Sequence, residues 1–275
     1  MNIIYFGYDN VISCLYKMIE KGHHIHALFT GSISPHNQKI IQCAQNKNIP
    51  IIQEPPSPEN LKAYCEKGID LFFSAEYPWK IPLNLQPKYA INLHPTLLPF
   101  GKGKTPLPHI LLEFPQYAGI SFHKMADELD SGDLVLQKPV SLSENESYDS
   151  LTTKIYVQAA ELSAYLLDNI QSLYENATPQ QKGSYWPEIS SQQRTIDWMK
   201  PTTKICQQIR AFGSLGTIAQ IQNRKVLISS ATGIEQKHEF QAGTLLQDNE
   251  ISISIATFDG FITILKSSLD FQSRD

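Results

Sequence analysis

Residues 90–106 read AINLHPTLLPFGKGKTP. Asn92 and His94 stand two apart, so on an extended strand both side chains face one way, while Ile91 and Leu93 face the other, into a core. Pro95 has no ladder donor and ends the strand there. An amide and an imidazole are thereby set side by side at the carboxyl end of a strand. Open α/β sheets hold their ligands at that edge.

A second stretch answers it. Residues 123–133 read HKMADELDSGD, with Asp130 followed by the turn-prone pair Ser131-Gly132. An amide, an imidazole and a carboxylate are the parts that acyl transfer to an amine requires. The developing oxyanion needs donors, and the attacking ammonium must lose a proton. Taken alone, Asn92 and His94 could simply tie a strand end to a loop. The carboxylate motif favours the chemical reading.

Upstream, Asn2–Phe6 is a short apolar run ending at Gly7 and predicts a first buried strand. Asp9 or Asn10 is expected to cap a helix with Val11, Cys14, Leu15 and Met18 on one stripe, ending near Lys21-Gly22. Residues 24–30 predict a second strand, 35–47 a polar second helix and 50–52 a brief third strand. Ser57 as cap, Pro58 at the first helical position and Glu59 in the first turn start a third helix, which runs to Lys67-Gly68. Residues 70–74 and 90–94 predict the fourth and fifth strands. Strands alternating with helices predict an α/β fold with a doubly wound, mostly parallel sheet. The first strand-to-helix turn, Phe6 to Asn10, has one glycine where a dinucleotide fingerprint needs three, so NAD and FAD are rejected.

Downstream, a helix is predicted at 107–112, and strands at 117–123 and 134–140 are joined by the Asp130 loop as antiparallel neighbours. Residues 147–175 form the longest helical segment, with Leu151, Ile155, Ala159, Leu162, Leu166, Ile170 and Leu173 near the 3.6 period. Residues 177–193 turn polar, with Pro and Gly, and read as a linker that Tyr185 and Trp186 anchor. A short helix at 202–212 follows. Strand-like runs at 217–222, 225–230 and 251–265, with turns at Asn223 and Asp259-Gly260, predict a small β-barrel or sheet.

The chain has 275 residues, 41% hydrophobic and 18% charged, enough for one large domain or a medium and a small one. Its formal net charge of −4 gives no global basic face for nucleic acid. Four cysteines, Cys14, Cys43, Cys65 and Cys206, show no paired spacing, which excludes a disulfide framework and a zinc site and suits a reducing cytoplasm. No run approaches the ~18 apolar residues of a membrane span, and the N-terminus lacks a basic n-region, so a cytoplasmic protein is expected. His23, His24 and His26 invite a metal reading. No acidic or thiol partner lies near them in sequence, and a helix end running into a strand accounts for them, so no metal is expected.

The run Asn92-Leu93-His94-Pro95-Thr96-Leu97-Leu98-Pro99, with Leu129-Asp130-Ser131-Gly132-Asp133 thirty-six residues on (130 − 94 = 36), resembles the folate-dependent formyltransferases. The resemblance implies that Asn92, His94 and Asp130 are the catalytic trio and that His123, seven residues before Asp130, matches a further family histidine. Ile196-Asp197-Trp198, Ile209-Arg210-Ala211-Phe212 and the strand-rich tail resemble the small C-terminal domain of methionyl-tRNA formyltransferases and some sugar N-formyltransferases; glycinamide ribonucleotide formyltransferases lack it. The implied fold is a Rossmann-like catalytic domain over residues 1–178, a linker over 179–194 and an OB-like β-rich domain over 195–275. The implied formyl donor is 10-formyltetrahydrofolate. Its pterin would lie against residues 75–79, which makes Tyr77, Pro78 and Trp79, with Asp127, the expected contacts.

Two departures bear on the formyl acceptor. The transfer-RNA enzymes carry a basic loop after the second strand, whereas residues 31–48 here hold two lysines and no arginine. A tRNA binder needs phosphate-neutralising cations. After the first motif, Phe100-Gly101-Lys102-Gly103-Lys104 stands where those enzymes have an Arg-Gly pair. The expected acceptor is therefore an amino sugar carried on a nucleotide, with Lys102 and Lys104 at its diphosphate and His123 beside it. A methionyl-tRNA formyltransferase is the second reading, and a catalytically silent folate or nucleotide-sugar binder is the third. Nucleic acid is disfavoured as a partner, no membrane is expected, and a homodimer is left open. The mechanism expected is that the Asn92 amide and a protonated His94 donate to the oxyanion, with Asp130 raising the imidazole's affinity for its proton.

Overall fold

Short apolar runs alternating with helices build one seven-stranded sheet. In this computed structural model, which describes residues 1–84, 87–222 and 224–271, β1 (Asn2–Gly7), β2 (His24–Phe29), β3 (Ile51–Ile52), β4 (Leu71–Ala75) and β5 (Tyr89–His94) pair in parallel. The order is β3-β2-β1-β4-β5, followed by β6 (Gly119–Lys124) and β7 (Leu134–Pro139), both antiparallel to their neighbours. The chain reverses direction across the sheet between β1 and β4, the switch point at which such sheets open a crevice. Ile4, Phe6, Ala27, Phe29, Leu61, Ile69, Phe72 and Ala90 form a core on one side of this sheet. Phe6 and Phe29 stack at 4.8 Å within it.

The helices follow the predicted stripes and caps with one instructive exception. Val11, Cys14, Leu15 and Met18 are all buried along α1 (Ile12–Glu20) and the turn before it. Asp9, expected to cap that helix, sits in the preceding 3-10 turn. Its carboxylate instead accepts from the backbone N–H of Lys39 (3.1 Å) and Ile40 (2.8 Å), in the first turn of α2 (Gln38–Asn46). The orphan donors of a helix start are satisfied from thirty residues away, beyond the reach of a local pattern. At α3 (Pro58–Glu66), Ser57 Oγ accepts from Asn60 N at 3.2 Å, as the Ser-Pro-Glu signature predicted. Beyond α4 (Pro106–Leu112), the long helical stretch divides into α5 (Tyr148–Asp168) and α6 (Ile170–Glu175). Asn169 makes the break, turning its Nδ2 back onto Tyr165 O at 2.9 Å.

After α7 (Ser191–Arg194) and α8 (Thr202–Phe212), the described residues form seven strands: β8 (Thr217–Ile221), β9 (Arg224–Ile228), β10 (Thr232–Glu235), β11 (Leu245–Asp248), β12 (Ser252–Ala256), β13 (Gly260–Leu265) and β14 (Leu269–Phe271). They make two antiparallel sheets, β14-β9-β8 and β10-β13-β12-β11. Ile205 and Ile209 of α8 share a core with Ala219, Val226, Ile228, Ile253, Ile255, Ile262 and Ile264. The β12–β13 hairpin turns at Asp259 as expected, while the turn expected at Asn223 lies outside the described residues. The strands β10, β11 and β14 escaped the pattern because they are only three or four residues long, with little apolar alternation to reveal them.

The chain divides into two compact units. One comprises Met1–Pro106, Tyr117–Ser141 and Thr152–Trp186; the other comprises Leu107–Gln116, Leu142–Leu151 and the chain from Pro187 on. Residues 180–186, inside the stretch read as linker, therefore pack with the sheet domain. The four cysteines are free thiols. Among the described residues no helix is long and apolar enough to cross a membrane, and no His/Cys/Asp/Glu group could hold a metal ion.

Candidate active site

Strand β5 delivers Asn92 and His94 to one face at its carboxyl end. Its antiparallel partner β6 sets His123 directly opposite Asn92. The side chains meet: Asn92 Nδ2 lies 3.0 Å from His123 Nε2. His123 Nδ1 lies 2.8 Å from its neighbour's carbonyl, Lys124 O, so that nitrogen carries the proton and Nε2 accepts from Asn92. Sequence reasoning placed His123 beside the substrate. In the fold it is 2% exposed and orients the amide.

Asp130 comes in from the β6–β7 loop with φ +54, a left-handed conformation that Asp tolerates better than most residues. Its side chain points back to the strand end and is 4% exposed. Oδ2 accepts from the Gly103 backbone N–H at 2.9 Å and lies 3.5 Å from His94 Nδ1, while Oδ1 lies 3.5 Å from both His123 Nε2 and Asn92 Nδ2. Burial raises the proton affinity of this carboxylate. Contact with His123 and His94 and the Gly103 N–H more than offset burial, and the net shift is below the ordinary carboxylate range.

His94 is 5% exposed, and its Nε2 lies 2.8 Å from Gly101 O. A carbonyl only accepts, so Nε2 carries the proton and Nδ1 faces Asp130. Burial outweighs the attraction of Asp130 and holds the imidazole below its ordinary pKa. The expectation of a protonated His94 is overturned for this arrangement: the ring is neutral near pH 7, and its Nδ1 lone pair is placed to receive a proton next to a carboxylate.

Gly101 and Gly103 belong to the loop that follows the first motif, and that loop is held from several sides. Thr96 Oγ1 donates to Phe100 O at 2.8 Å, Leu98 N donates to Ser121 Oγ at 3.0 Å and Gln137 Nε2 donates to Leu98 O at 2.8 Å. Phe100 stacks on Tyr117 at 4.3 Å. Lys102 is half-buried and Lys104 exposed, one on each side of Gly103. The contributions of Gly101 O and Gly103 N went unread in the sequence, because a backbone atom leaves no residue-type signal. The glycines themselves, at φ +75 and +119, were the available clue.

The segment expected to meet a pterin follows β4. Tyr77 packs edge-on against Phe6 at 5.4 Å and Trp79 at 5.3 Å, and its Oη is buried with no hydrogen-bond partner among the described residues. Pro78 is exposed and Trp79 half-buried. Asp127, which is exposed, lies 3.8 Å from Lys80 Nζ, so the two stretches expected at the folate are neighbours. An aromatic wall with an unmatched hydroxyl beside it suits a flat ring with polar edges. Glu76 also stands here, at φ +58, with Oε2 buried and unpartnered among the described residues. Burial pushes its carboxyl up to about 7, against a hydrogen bond from Asn10.

Two family models match the chain: "Formyl transferase" over residues 29–167 and "Formyl transferase, C-terminal domain" over residues 188–272. A methionyl-tRNA formyltransferase from Bacillus velezensis is 28% identical over 277 aligned residues, covering 93% of this chain and 86% of the relative. A HypX structure from Aquifex aeolicus, in complex with tetrahydrofolic acid, superposes with a TM-score of 0.70 at 19% identity; it covers 95% of this chain, which spans only 43% of HypX. An N-formyltransferase from Helicobacter canadensis, in complex with folinic acid and dTDP-3-aminofucose, superposes with a TM-score of 0.62 at 20% identity, over 96% of this chain and 98% of that one.

Proposed function

The chain belongs to the formyl transferase family, and we propose that it moves the formyl group of 10-formyltetrahydrofolate to the amine of a nucleotide-linked amino sugar. The observation that carries the reading is the Asn92–His94–Asp130 cluster, buried around a carboxylate at the carboxyl edge of the sheet. The folate, when bound, would supply the formyl carbon that the amine takes up, and would leave as tetrahydrofolate once the bond from that carbon to the folate nitrogen breaks, the proton shed by the amine balancing the one that nitrogen gains. Tyr77, Pro78 and Trp79, with Asp127, would hold its ring system.

The residues divide the work by their protons. Asn92 is half-buried, and its Nδ2 is aimed by His123; it donates to the oxygen on which negative charge develops. The attacking nitrogen must shed a proton. His94 Nδ1 can take it, and Asp130 Oδ2 then steadies the imidazolium at 3.5 Å. Asp130 itself is the alternative acceptor. Lys102 and Lys104, on their glycine-flanked loop, are the cations available to a diphosphate.

The loop after β2 supports a small acceptor over an RNA. Asn37 is fully buried there, and its Nδ2 donates to Gly31 O at 2.9 Å and Ser32 O at 3.1 Å, while Ser34 N donates to its Oδ1 at 2.8 Å. The loop is folded back on itself and carries no arginine. The Bacillus velezensis relative favours the second reading, formylation of methionyl-tRNA. Ionic strength separates them. Formylation of an RNA acceptor should fall by orders of magnitude between ~50 and ~200 mM salt, because each neutralised phosphate adds to the slope, whereas a nucleotide sugar should lose far less. Robust methionyl-tRNA formylation with a steep slope, and none of a nucleotide amino sugar, would overturn the first reading.

A further inference from the structure

The segment 180–186 makes more contacts with the catalytic loops than a linker needs. Gln180 Nε2 donates to Asp130 O at 2.9 Å and to Gly132 O at 2.7 Å, bracketing the turn that presents the Asp130 carboxylate. Its amide can face only one way, because the opposite orientation would set its oxygen against two carbonyl oxygens. Further along, Ser184 N donates to Pro99 O at 3.1 Å, Ser184 O accepts from Lys102 N at 3.0 Å and Ser184 Oγ accepts from Gly101 N at 3.3 Å. Trp186 N donates to Lys102 O at 2.8 Å, and its buried ring lies over Gly101, where an added Cβ would come within 2.6 Å. Gly183 lies so close to the Pro99 carbonyl that any side chain there would collide with it.

One strap thus grips both loops that finish the site. It holds the loop whose Gly101 O fixes the His94 tautomer and whose Gly103 N–H holds Asp130, and it holds the backbone of Asp130 itself. Asp130 needs such support, since a left-handed non-glycine residue persists only where its surroundings impose it. We infer that residues 180–186 are a catalytic clasp, with Gln180 a positioning residue that acts through Asp130 and Ser184 through the 99–103 loop. The clasp touches no reacting atom. It sets the distance between carboxylate and imidazole, and a misplacement of about 1 Å at such a site can cost ~10²-fold in rate.

The inference rests on the formyl-transfer reading for its kinetic arm, and a second arm is independent of activity. Gln180→Met keeps the side chain's length and removes both donors. It should lower kcat about 10- to 100-fold with KM for folate and amine within about threefold, at a nearly unchanged melting temperature. Hydrogen exchange at the Gly103 amide should quicken about tenfold or more as its bond to Asp130 loosens. Gly183→Ala should give the same pattern by displacing the strap from Pro99, and Gln42→Ala, exposed on α2 and away from the strap, should change nothing. If Gln180→Met does not fold, Gln180→Ala removes both donors without placing a longer side chain or a charge beside Asp130 and gives the same reading. A merely structural role would lower melting temperature while each folded molecule kept its kcat. Unchanged kcat, or unchanged Gly103 exchange, in both Gln180→Met and Gly183→Ala would overturn the clasp. An inactive wild type would count against the proposed function, and the exchange measurement would still decide the clasp.

Discussion

His94 Nε2 donates to the Gly101 carbonyl at 2.8 Å, and this bond decides what the ring can do. With that proton committed, the working nitrogen is Nδ1, 3.5 Å from Asp130 Oδ2. Burial holds the ring below its ordinary pKa, so the proposed chemistry runs on the base form. The acid limb of kcat/KM should therefore have its midpoint below the ~6.5 of a free imidazole. It should vanish in His94→Ala, whose residual rate, ~10²- to 10⁴-fold lower, stays flat across that range. A limb centred above that value would mean that the imidazolium does the chemistry.

Asp130→Asn preserves shape and tolerates the φ of +54, so the fold should survive. The charge that receives the Gly103 N–H and steadies His94 is lost. Turnover should drop on the order of 10²-fold or more while folate binding, followed by calorimetry, persists. Near-normal turnover in a folded Asp130→Asn would remove Asp130 from the chemistry.

Asp9 tests a long-range cap. Asp9→Ala strips the acceptor from the Lys39 and Ile40 N–H groups and should cost about 1 kcal/mol in denaturant unfolding, within the usual ~0.5–2 range. Asp9→Asn should recover most of it. Equal stability of all three proteins would show that the contact contributes nothing.

The fold was legible because its signals are local. The period-two run at Ala90–His94, the Ser57-Pro58-Glu59 start and the stripe on α1 each announce one element. That Asn92, His94 and Asp130 come together was legible through the two motifs that carry them. What stayed hidden depends on distance in sequence or on backbone atoms. Asp9 serves a helix thirty residues on, the Gly101 and Gly103 backbone faces His94 and Asp130, and Gln180 looks like linker until the sheet brings Asp130 beneath it. The charge state of His94 was misjudged because burial, the larger influence, has no signature in a residue list.

Glu76 should make stability depend on pH in the opposite sense to an ordinary surface carboxylate. Its folded pKa of about 7 lies above an unfolded value of ~4.3, so the folded chain binds the extra proton. That contribution is fully present below ~4.3 and is lost as pH rises through about 7. Glu76→Gln should therefore be more stable than the parent at pH ~8, by on the order of 1–3 kcal/mol, with little difference at pH ~4. A variant no more stable at the higher pH would show that this carboxyl stays solvated.

Formyl transfer itself is tested most directly by incubating the protein with 10-formyltetrahydrofolate and a panel of nucleotide-linked amino sugars, and reading each sugar's mass. One member of the panel should gain a single formyl group, with the wild type and not with Asp130→Asn. If every sugar stays unmodified while methionyl-tRNA is formylated under the same conditions, the acceptor assigned here is wrong. If the wild type and Asp130→Asn formylate equally, the site is wrong as well.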